Sequence, residues 1–285
     1  MIVKKIDPIR RINLHLHSNV SDGFLSPSQV VERARERNLD MISITDHDTG
    51  DAYQLLPKEL GNLKILPGLE LSSTHEGSDV HILGFGVNFE SAKLAEMIEM
   101  YLVGRRDRAA RMIEKLVDLG MDLSLDEVAA VSGSRELIVR PHIAQVLLAK
   151  GYVSSKNEAF DKFIGNDGPA YSPKPEFSVP EAIDAIHQAN GFALIAHPGK
   201  LESGSYIHEF VEMGIDGLEV WHPDHYQYQV KEFIEICQNN GLYMTAGSDF
   251  HGDQDRHNVF DAVPANEVIL ESVNQLWREY QCRVN

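Results

Sequence analysis

Histidine and acidic side chains occur in this sequence at spacings that suit metal binding. His15 and His17 alternate within an apolar segment. Alternate side chains of an extended strand point to the same face, about 7 Å apart along the strand. Two imidazoles placed in this way can hold one metal ion. Asp22 follows in a Ser-Asp-Gly motif, so the first hypothesis is a metal site formed by this N-terminal segment.

The same residue types recur at the ends of other apolar segments. A lone histidine is more often structural than a ligand, but here the motifs are numerous and share one position relative to the predicted strands. In parallel α/β barrels, the carboxyl ends of the strands are where sites are assembled. We therefore expect nine side chains to form a metal site: His15, His17, Asp22, His47, Glu70, His81, His197, Asp249 and His251.

Short apolar runs predict the strands that must position these groups. The runs cover residues 11–16, 41–45, 63–71, 80–85, 192–196, 217–220 and 243–246. Helical patterns lie between many of them, including a helix predicted near residues 51–60. Capping boxes at Ser26 with Gln29 and at Ser178 with Glu181 predict two helix starts. This alternation favours a parallel α/β sheet or barrel.

The middle of the chain has a different pattern. Residues 91–165 contain helical spacing without strand patterns, and a Gly- and Pro-containing linker follows at residues 165–169. We therefore predict a barrel domain in two parts, residues 1–90 and 166–285, with a small all-helical insertion over residues 91–165.

Composition limits the class of protein and of partner. The 285 residues carry 26 Lys and Arg against 43 Asp and Glu, a formal net charge of −17. Such acidity argues against duplex DNA or a membrane surface as partner, although bound divalent ions would still admit a phosphate substrate. The sequence has two cysteines and neither a signal-peptide pattern nor a run of about 20 apolar residues. We expect a cytoplasmic protein, and its oligomeric state stays open.

The motifs together resemble one known family. His-x-His-Ser, Ser-Asp-Gly, Thr-Asp-His-Asp, Pro-Gly-Leu-Glu, Val-His-Ile-Leu-Gly, Ala-His-Pro-Gly and Gly-Ser-Asp-x-His-Gly follow one another in this order. The set resembles the polymerase and histidinol phosphatase (PHP) family, and within it the branch of 3′,5′-nucleoside bisphosphate phosphatases and 5′→3′ exoribonucleases. The resemblance implies an α/β fold, a distorted (β/α)7 TIM-like barrel with a small all-helical insertion, holding two or three divalent metal ions.

The resemblance also implies how the ligands are divided. His15, His17, Glu70 and Asp249 would hold one ion; Glu70, His81 and His197 a second; Asp22, His47 and His251 a third. Glu70 would bridge two ions, and Glu70, Asp249 and His251 would be the catalytic groups. Imidazole and carboxylate ligands suit manganese, iron or zinc, and the resemblance favours Mn²⁺ over Fe²⁺ or Zn²⁺.

Other polar groups have two interpretations each. Arg140, before Pro141 at a predicted helix start, suits a phosphate or a solvated surface. Lys200 and His225 are further candidates for substrate binding, and His225 suits a helix start equally well. Asp46 and Asp48, which flank His47, could orient imidazoles, or Asp46 could cap a helix or a loop.

The predicted function is hydrolysis of nucleotide phosphoesters by metal-bound hydroxide. The substrates would be the 3′-phosphate of nucleoside 3′,5′-bisphosphates, short 5′-phosphorylated RNA attacked in the 5′→3′ direction, or both. Alternatives are a histidinol-phosphate phosphatase, which the Arg-Pro-His motif disfavours, and a non-catalytic or proofreading metal-binding module. An amide-hydrolysing barrel is a further alternative, but the bridging lysine typical of such sites is not evident.

Overall fold

The computed structural model describes residues 8–132, 138–173, 177–252 and 260–284. The chain divides into two compact units, one formed by Met1–Ala95 and Phe177–Asn285 and the other by Glu96–Glu176. The predicted domain boundaries, at residues 90 and 165, stay a prediction.

All the named strands belong to the first unit and form two sheets. The parallel sheet has the order β1 (Ile12–Leu16), β2 (Met41–Ile44) and β3 (Lys64–Ile65). The second sheet has the order β4 to β8, and its strands are Gly68–His75, Ser78–Phe85, Phe192–Ile195, Gly217–Trp221 and Tyr243–Ala246. In it, β6, β7 and β8 are parallel, whereas β5 is antiparallel to both β4 and β6.

Two predictions about these strands were wrong. The run at residues 63–71 is not one strand, because β3 ends at Ile65 and β4 begins at Gly68, with Pro67 between them; proline has no N–H to donate to a ladder. The sheet is also not wholly parallel. Glu76 and Gly77 both have positive φ, 49° and 84°, as a type I′ turn requires, and this turn folds β4 and β5 into an antiparallel hairpin.

The closed barrel is not confirmed, although the fold is mixed α/β. Among the described residues, the two sheets are joined by isolated parallel bridges, Leu16 with Phe250 and His47 with Glu70. These are single bridges and not continuous ladders. Both lie beside residues of the predicted metal site, so the joins between the sheets bring its segments together.

The helices follow the capping signals well. They are α1 (Pro27–Glu36), α2 (Ala92–Asp118), α3 (Leu125–Ser132), α4 (Arg140–Ala149), α5 (Lys156–Ala159), α6 (Val179–Gln188), α7 (Tyr206–Glu212), α8 (Gln227–Asn240) and α9 (Glu267–Val284). The predicted capping boxes at Ser26 and Ser178 are present. The helix predicted near residues 51–60 is a short 3₁₀ helix, Asp51–Leu55, which ends where Leu56 turns extended before Pro57.

Each unit buries its own apolar core. In the first unit, α1 packs on the parallel sheet through residues such as Val30, Ile42 and Ile44. The second unit contains most of α2 together with α3, α4 and α5, and buries Met112, Leu147 and their neighbours. Within the described ranges, no helix combines the length and apolar character that crossing a membrane requires.

Candidate metal centre

Glu70 of β4 lies at the centre of a histidine cluster. Its side chain is fully buried, and its two carboxylate oxygens face different imidazoles. Oε2 lies 3.3 Å from His15 Nε2, 3.3 Å from His17 Nε2 and 3.1 Å from His47 Nδ1. Oε1 lies 2.9 Å from His81 Nδ1 and 3.1 Å from His197 Nε2. One carboxylate is therefore in position to serve two groups of imidazoles.

The segment after β8 supplies a second acidic group. Asp249 has a left-handed backbone, with φ of 53°, and its Oδ1 lies 3.2 Å from His17 Nε2 and 3.4 Å from His15 Nε2. Two residues later, His251 Nε2 lies 3.2 Å from Asp22 Oδ1, and the His251 ring stacks on His17 at 4.1 Å between centroids. The loop after β1 and the loop after β8 thus meet at one edge of the cluster.

The ligand atoms form three groups, in each of which the atoms lie within 4.8 Å of one another. The groups are His15, His17, Glu70 and Asp249; His17, Asp22, His47 and His251; and His47, Glu70 and His81. The first is the set that the resemblance implied for one ion. The second adds His17 to the set implied for the third ion. In the third group, His47 stands where His197 was expected, although His197 also contacts Glu70.

The donor set fits divalent ions. Several of its atoms are buried without a hydrogen-bond partner in the described part of the chain: His15 Nε2, both ring nitrogens of His17, His47 Nδ1, Glu70 Oε2 and His251 Nε2. Buried polar atoms are normally paired, and cations would occupy these lone pairs. Four largely buried carboxylates face the cluster, those of Asp22, Glu70, Glu219 and Asp249, so with neutral imidazoles two dications would balance the charge.

The surroundings favour ionised carboxylates. Burial alone would raise the pKa of Glu70, but the imidazoles of His47, His15 and His81 outweigh it and hold the pKa well below its usual range. The pKa of Asp249 is lowered for the same reason. Desolvation lowers the pKa of His47 to about 3, whereas the neighbouring carboxylates raise the pKa of His15 and raise that of His17 to about 10. Metals bind ionised carboxylates and unprotonated imidazoles, so an ion that binds His15 and His17 would displace their protons.

The acids beside His47 position loops. Asp46 accepts hydrogen bonds from Ser18 N at 2.7 Å, from Ser18 Oγ at 2.5 Å and from Ser21 Oγ at 2.6 Å. These contacts favour the loop-cap interpretation of Asp46, because the two serines belong to the loop that carries Asp22. Asp48 accepts hydrogen bonds from the backbone N–H and the hydroxyl of Ser72, at 2.7 and 3.0 Å, and so ties the His47 loop to β4.

Sequence reasoning missed two residues, one within β7 and one directly after it. Glu219 is fully buried and lies 3.0 Å from His15 Nδ1. His222 is also buried, and its Nε2 lies 3.6 Å from Asp249 Oδ2. A charged residue inside the apolar segment Gly-Leu-Glu-Val-Trp, followed by a histidine directly after the strand, was the available signal.

Two of the predicted substrate-binding residues lie in the same unit as the cluster. Lys200 Nζ lies 3.4 Å from Asp249 Oδ2 and 3.1 Å from Asp224 Oδ2, which places a cation beside a candidate ligand. His225 Nε2 accepts a hydrogen bond from Gly199 N–H at 3.1 Å, and its Nδ1–H donates to the carbonyl of Val220 at 3.0 Å. Because both nitrogens bind backbone groups, these contacts favour a structural role for His225.

Arg140 lies in the helical unit, as the first residue of α4. Its guanidinium donates to Asn166 Oδ1 at 2.9 Å and lies 5.5 Å from the centre of the Phe160 ring. These contacts hold the guanidinium at the start of the helix, and its role in phosphate binding stays a prediction.

Comparisons with known proteins agree with the motif order. The family model of the PHP domain matches residues 13–154. A 3′,5′-nucleoside bisphosphate phosphatase from Chromobacterium violaceum is 31% identical over 284 residues, 96% of this chain and 97% of the relative. A 5′-3′ exoribonuclease from Haemophilus influenzae is 30% identical over 250 residues, 85% of this chain and 90% of the relative. The crystal structure of a candidate metal-dependent phosphoesterase from Bifidobacterium adolescentis superposes with a TM-score of 0.80 at 30% identity, covering 97% of this chain and 98% of that chain.

Proposed function

Because this chain belongs to the PHP domain family, we propose that it is a metal-dependent phosphoesterase acting on nucleotides. The observation that carries the proposal is the cluster around Glu70, in which buried imidazole and carboxylate atoms of separate segments converge. The substrates would be the 3′-phosphate of nucleoside 3′,5′-bisphosphates, short 5′-phosphorylated RNA, or both. The names of the two relatives support this choice.

The ligand geometry supports a centre for more than one ion. Divalent ions, when bound, would acidify a water molecule and neutralise charge on phosphoryl oxygens. Glu70 is suited to hold two ions together, because its two oxygens face separate imidazole groups. Asp249 and His251 would hold ions at the edge formed by the β8 loop. Lys200, beside Asp249, would orient the phosphate by its charge.

Further details belong to the same proposal. The mixed imidazole and carboxylate donors support Mn²⁺, with Fe²⁺ or Zn²⁺ as alternatives. The bridges that join the two sheets support a distorted TIM-like barrel for the first unit. A cytoplasmic location and a substrate other than duplex DNA remain expectations from the sequence.

The alternatives are not favoured. The relatives described above are named for nucleotide or RNA substrates and not for histidinol phosphate. A non-catalytic module has no need for a full ligand set, and all nine predicted ligand side chains lie in or next to the cluster.

A phosphate-release assay tests the proposal. The purified protein is treated with a chelator and reloaded with Mn²⁺, Fe²⁺ or Zn²⁺. Phosphate release is then measured on adenosine 3′,5′-bisphosphate and histidinol phosphate, and release of 5′-mononucleotide is measured on a 5′-phosphorylated trinucleotide. We expect turnover of a nucleotide substrate that is lost on chelation and restored by metal. Turnover of histidinol phosphate alone, or less than one bound ion per chain by elemental analysis, would overturn the proposal.

A further inference from the structure

Glu219 lies behind the metal centre, in contact with two of its candidate ligands. We propose that Glu219 is a positioning residue that orients both His15 and His197 toward Glu70. This inference rests on the proposed metal centre, but it concerns metal binding and does not depend on which substrate is hydrolysed.

The contact with His15 determines which ring nitrogen faces the centre. His15 Nδ1 lies 3.0 Å from Glu219 Oε1 and 3.2 Å from Oε2. Since an ionised carboxylate can only accept, Nδ1 carries a proton, and Nε2 is the ring nitrogen left to bind a metal ion. His15 Nε2 lies 3.3 Å from Glu70 Oε2 and 3.4 Å from Asp249 Oδ1. Glu219 therefore turns the ligating nitrogen toward the first group of ligands.

The contact with His197 is to the backbone. Glu219 Oε2 accepts a hydrogen bond from His197 N–H at 2.7 Å. His197 has φ of 30° and ψ of 57°, a left-handed conformation that is unfavourable for a residue with a side chain and needs support from its surroundings. In this conformation, its imidazole Nε2 lies 3.1 Å from Glu70 Oε1. Glu219 thus stabilises the backbone conformation that places the His197 imidazole beside Glu70 Oε1.

Glu219 and His15 are packed closely against the backbone that follows β8. A Cβ added to Gly247 would lie 2.2 Å from His15 Cβ and 2.6 Å from Glu219 Oε1, so the chain after β8 passes directly against this pair. The side chain is fully buried. A buried carboxylate is therefore held between two ligand segments.

The test compares two carboxylates that both connect β6 and β7. Glu219→Gln keeps the shape, but an amide cannot accept from both donors with the same strength. Asp216→Asn is the matched control, because Asp216 accepts from Ala193 N–H at the other end of the same strand pair. Mn²⁺ affinity and stoichiometry are measured by calorimetric titration of chelator-treated protein without substrate. We expect Glu219→Gln to weaken binding roughly ten- to a hundredfold and Asp216→Asn to leave it unchanged.

Further measurements separate positioning from charge or folding. Glu219→Asp keeps the charge but shortens the reach, and we expect it to weaken binding as well. Circular dichroism and thermal melts of the metal-free variants establish that they fold. In the wild-type protein loaded with Zn²⁺, ¹⁵N-histidine NMR should show His15 protonated at Nδ1, a measurement that needs no variant.

Three results would overturn the inference: wild-type affinity in Glu219→Gln, wild-type affinity in Glu219→Asp, or a His15 ring protonated at Nε2. The proposed function fails separately from this inference. That outcome would be a wild-type protein that binds metal more tightly than the Glu219 variants, as expected, but hydrolyses no nucleotide.

Discussion

Replacing Glu70 with glutamine removes one negative charge from the centre of the histidine cluster while keeping the size of the side chain. Oε2 of Glu70 faces His15 and His17, and Oε1 faces His81 and His197. If each oxygen binds a different ion, the substitution weakens two sites at once. An imidazole nitrogen has one lone pair in the ring plane and can serve only one ion, so a single histidine variant should lose less.

The magnitude follows from the strength of a charge-assisted interaction, which is about 1.5 to 3 kcal/mol. Removing one such interaction lowers affinity or activity on the order of ten- to a hundredfold. Removing the interactions of both carboxylate oxygens costs about 3 to 6 kcal/mol, or on the order of a hundred- to ten-thousandfold. We therefore expect Glu70→Gln to lower activity more than His81→Asn does. In the wild-type protein, the ring nitrogen Nδ1 of His81 contacts one oxygen of Glu70, Oε1.

The assay is kcat/KM for phosphate release, with the bound metal of each variant determined by elemental analysis. Thermal melts of the metal-free proteins control for folding. A loss in Glu70→Gln no larger than that in His81→Asn, at matched metal content, would refute the bridging role of Glu70.

Other predictions concern residues outside this carboxylate. Arg140→Ala should lower kcat/KM for a nucleoside 3′,5′-bisphosphate roughly ten- to a hundredfold and affect p-nitrophenyl phosphate far less; equal losses would contradict a role in gripping the second phosphate. Gly247→Ala should destabilise the protein by about 1 to 3 kcal/mol, because its new Cβ would meet the neighbouring histidine at 2.2 Å, whereas Gly204→Ala, with open space around it, should be neutral in urea titrations. Burial raises the pKa of Cys237 to about 12, so at pH 8 a thiol reagent should modify the exposed Cys282 quickly and Cys237 only after unfolding; rapid modification of both in native protein would contradict this burial.

Much of the metal site could be predicted because its signals are local. A strand projects alternate side chains to one face, and His15 and His17 are brought together by that geometry alone. Helix starts are equally local: the capping boxes at Ser26 and Ser178 depend on residues three positions apart. Such features need no knowledge of the rest of the chain.

The sheet arrangement could not be predicted to the same degree. Strand direction depends on which segments pair, and the short turn at Glu76 and Gly77 makes β4 and β5 antiparallel in a region where strand–helix alternation suggested parallel strands. The division of ligands among ions has the same limitation, since His47 approaches Glu70 where the loop after β2 pairs with β4.

Glu219 shows most clearly what each level decides. The sequence by itself determines that an acidic residue lies within an apolar segment, and it predicts metal ligands in or next to the other strands. Only the tertiary structure decides that this acid faces inward, between His15 and His197, because its partners lie 204 and 22 residues away along the chain. A charged side chain can be buried only where donors surround it, and those donors are assembled by folding.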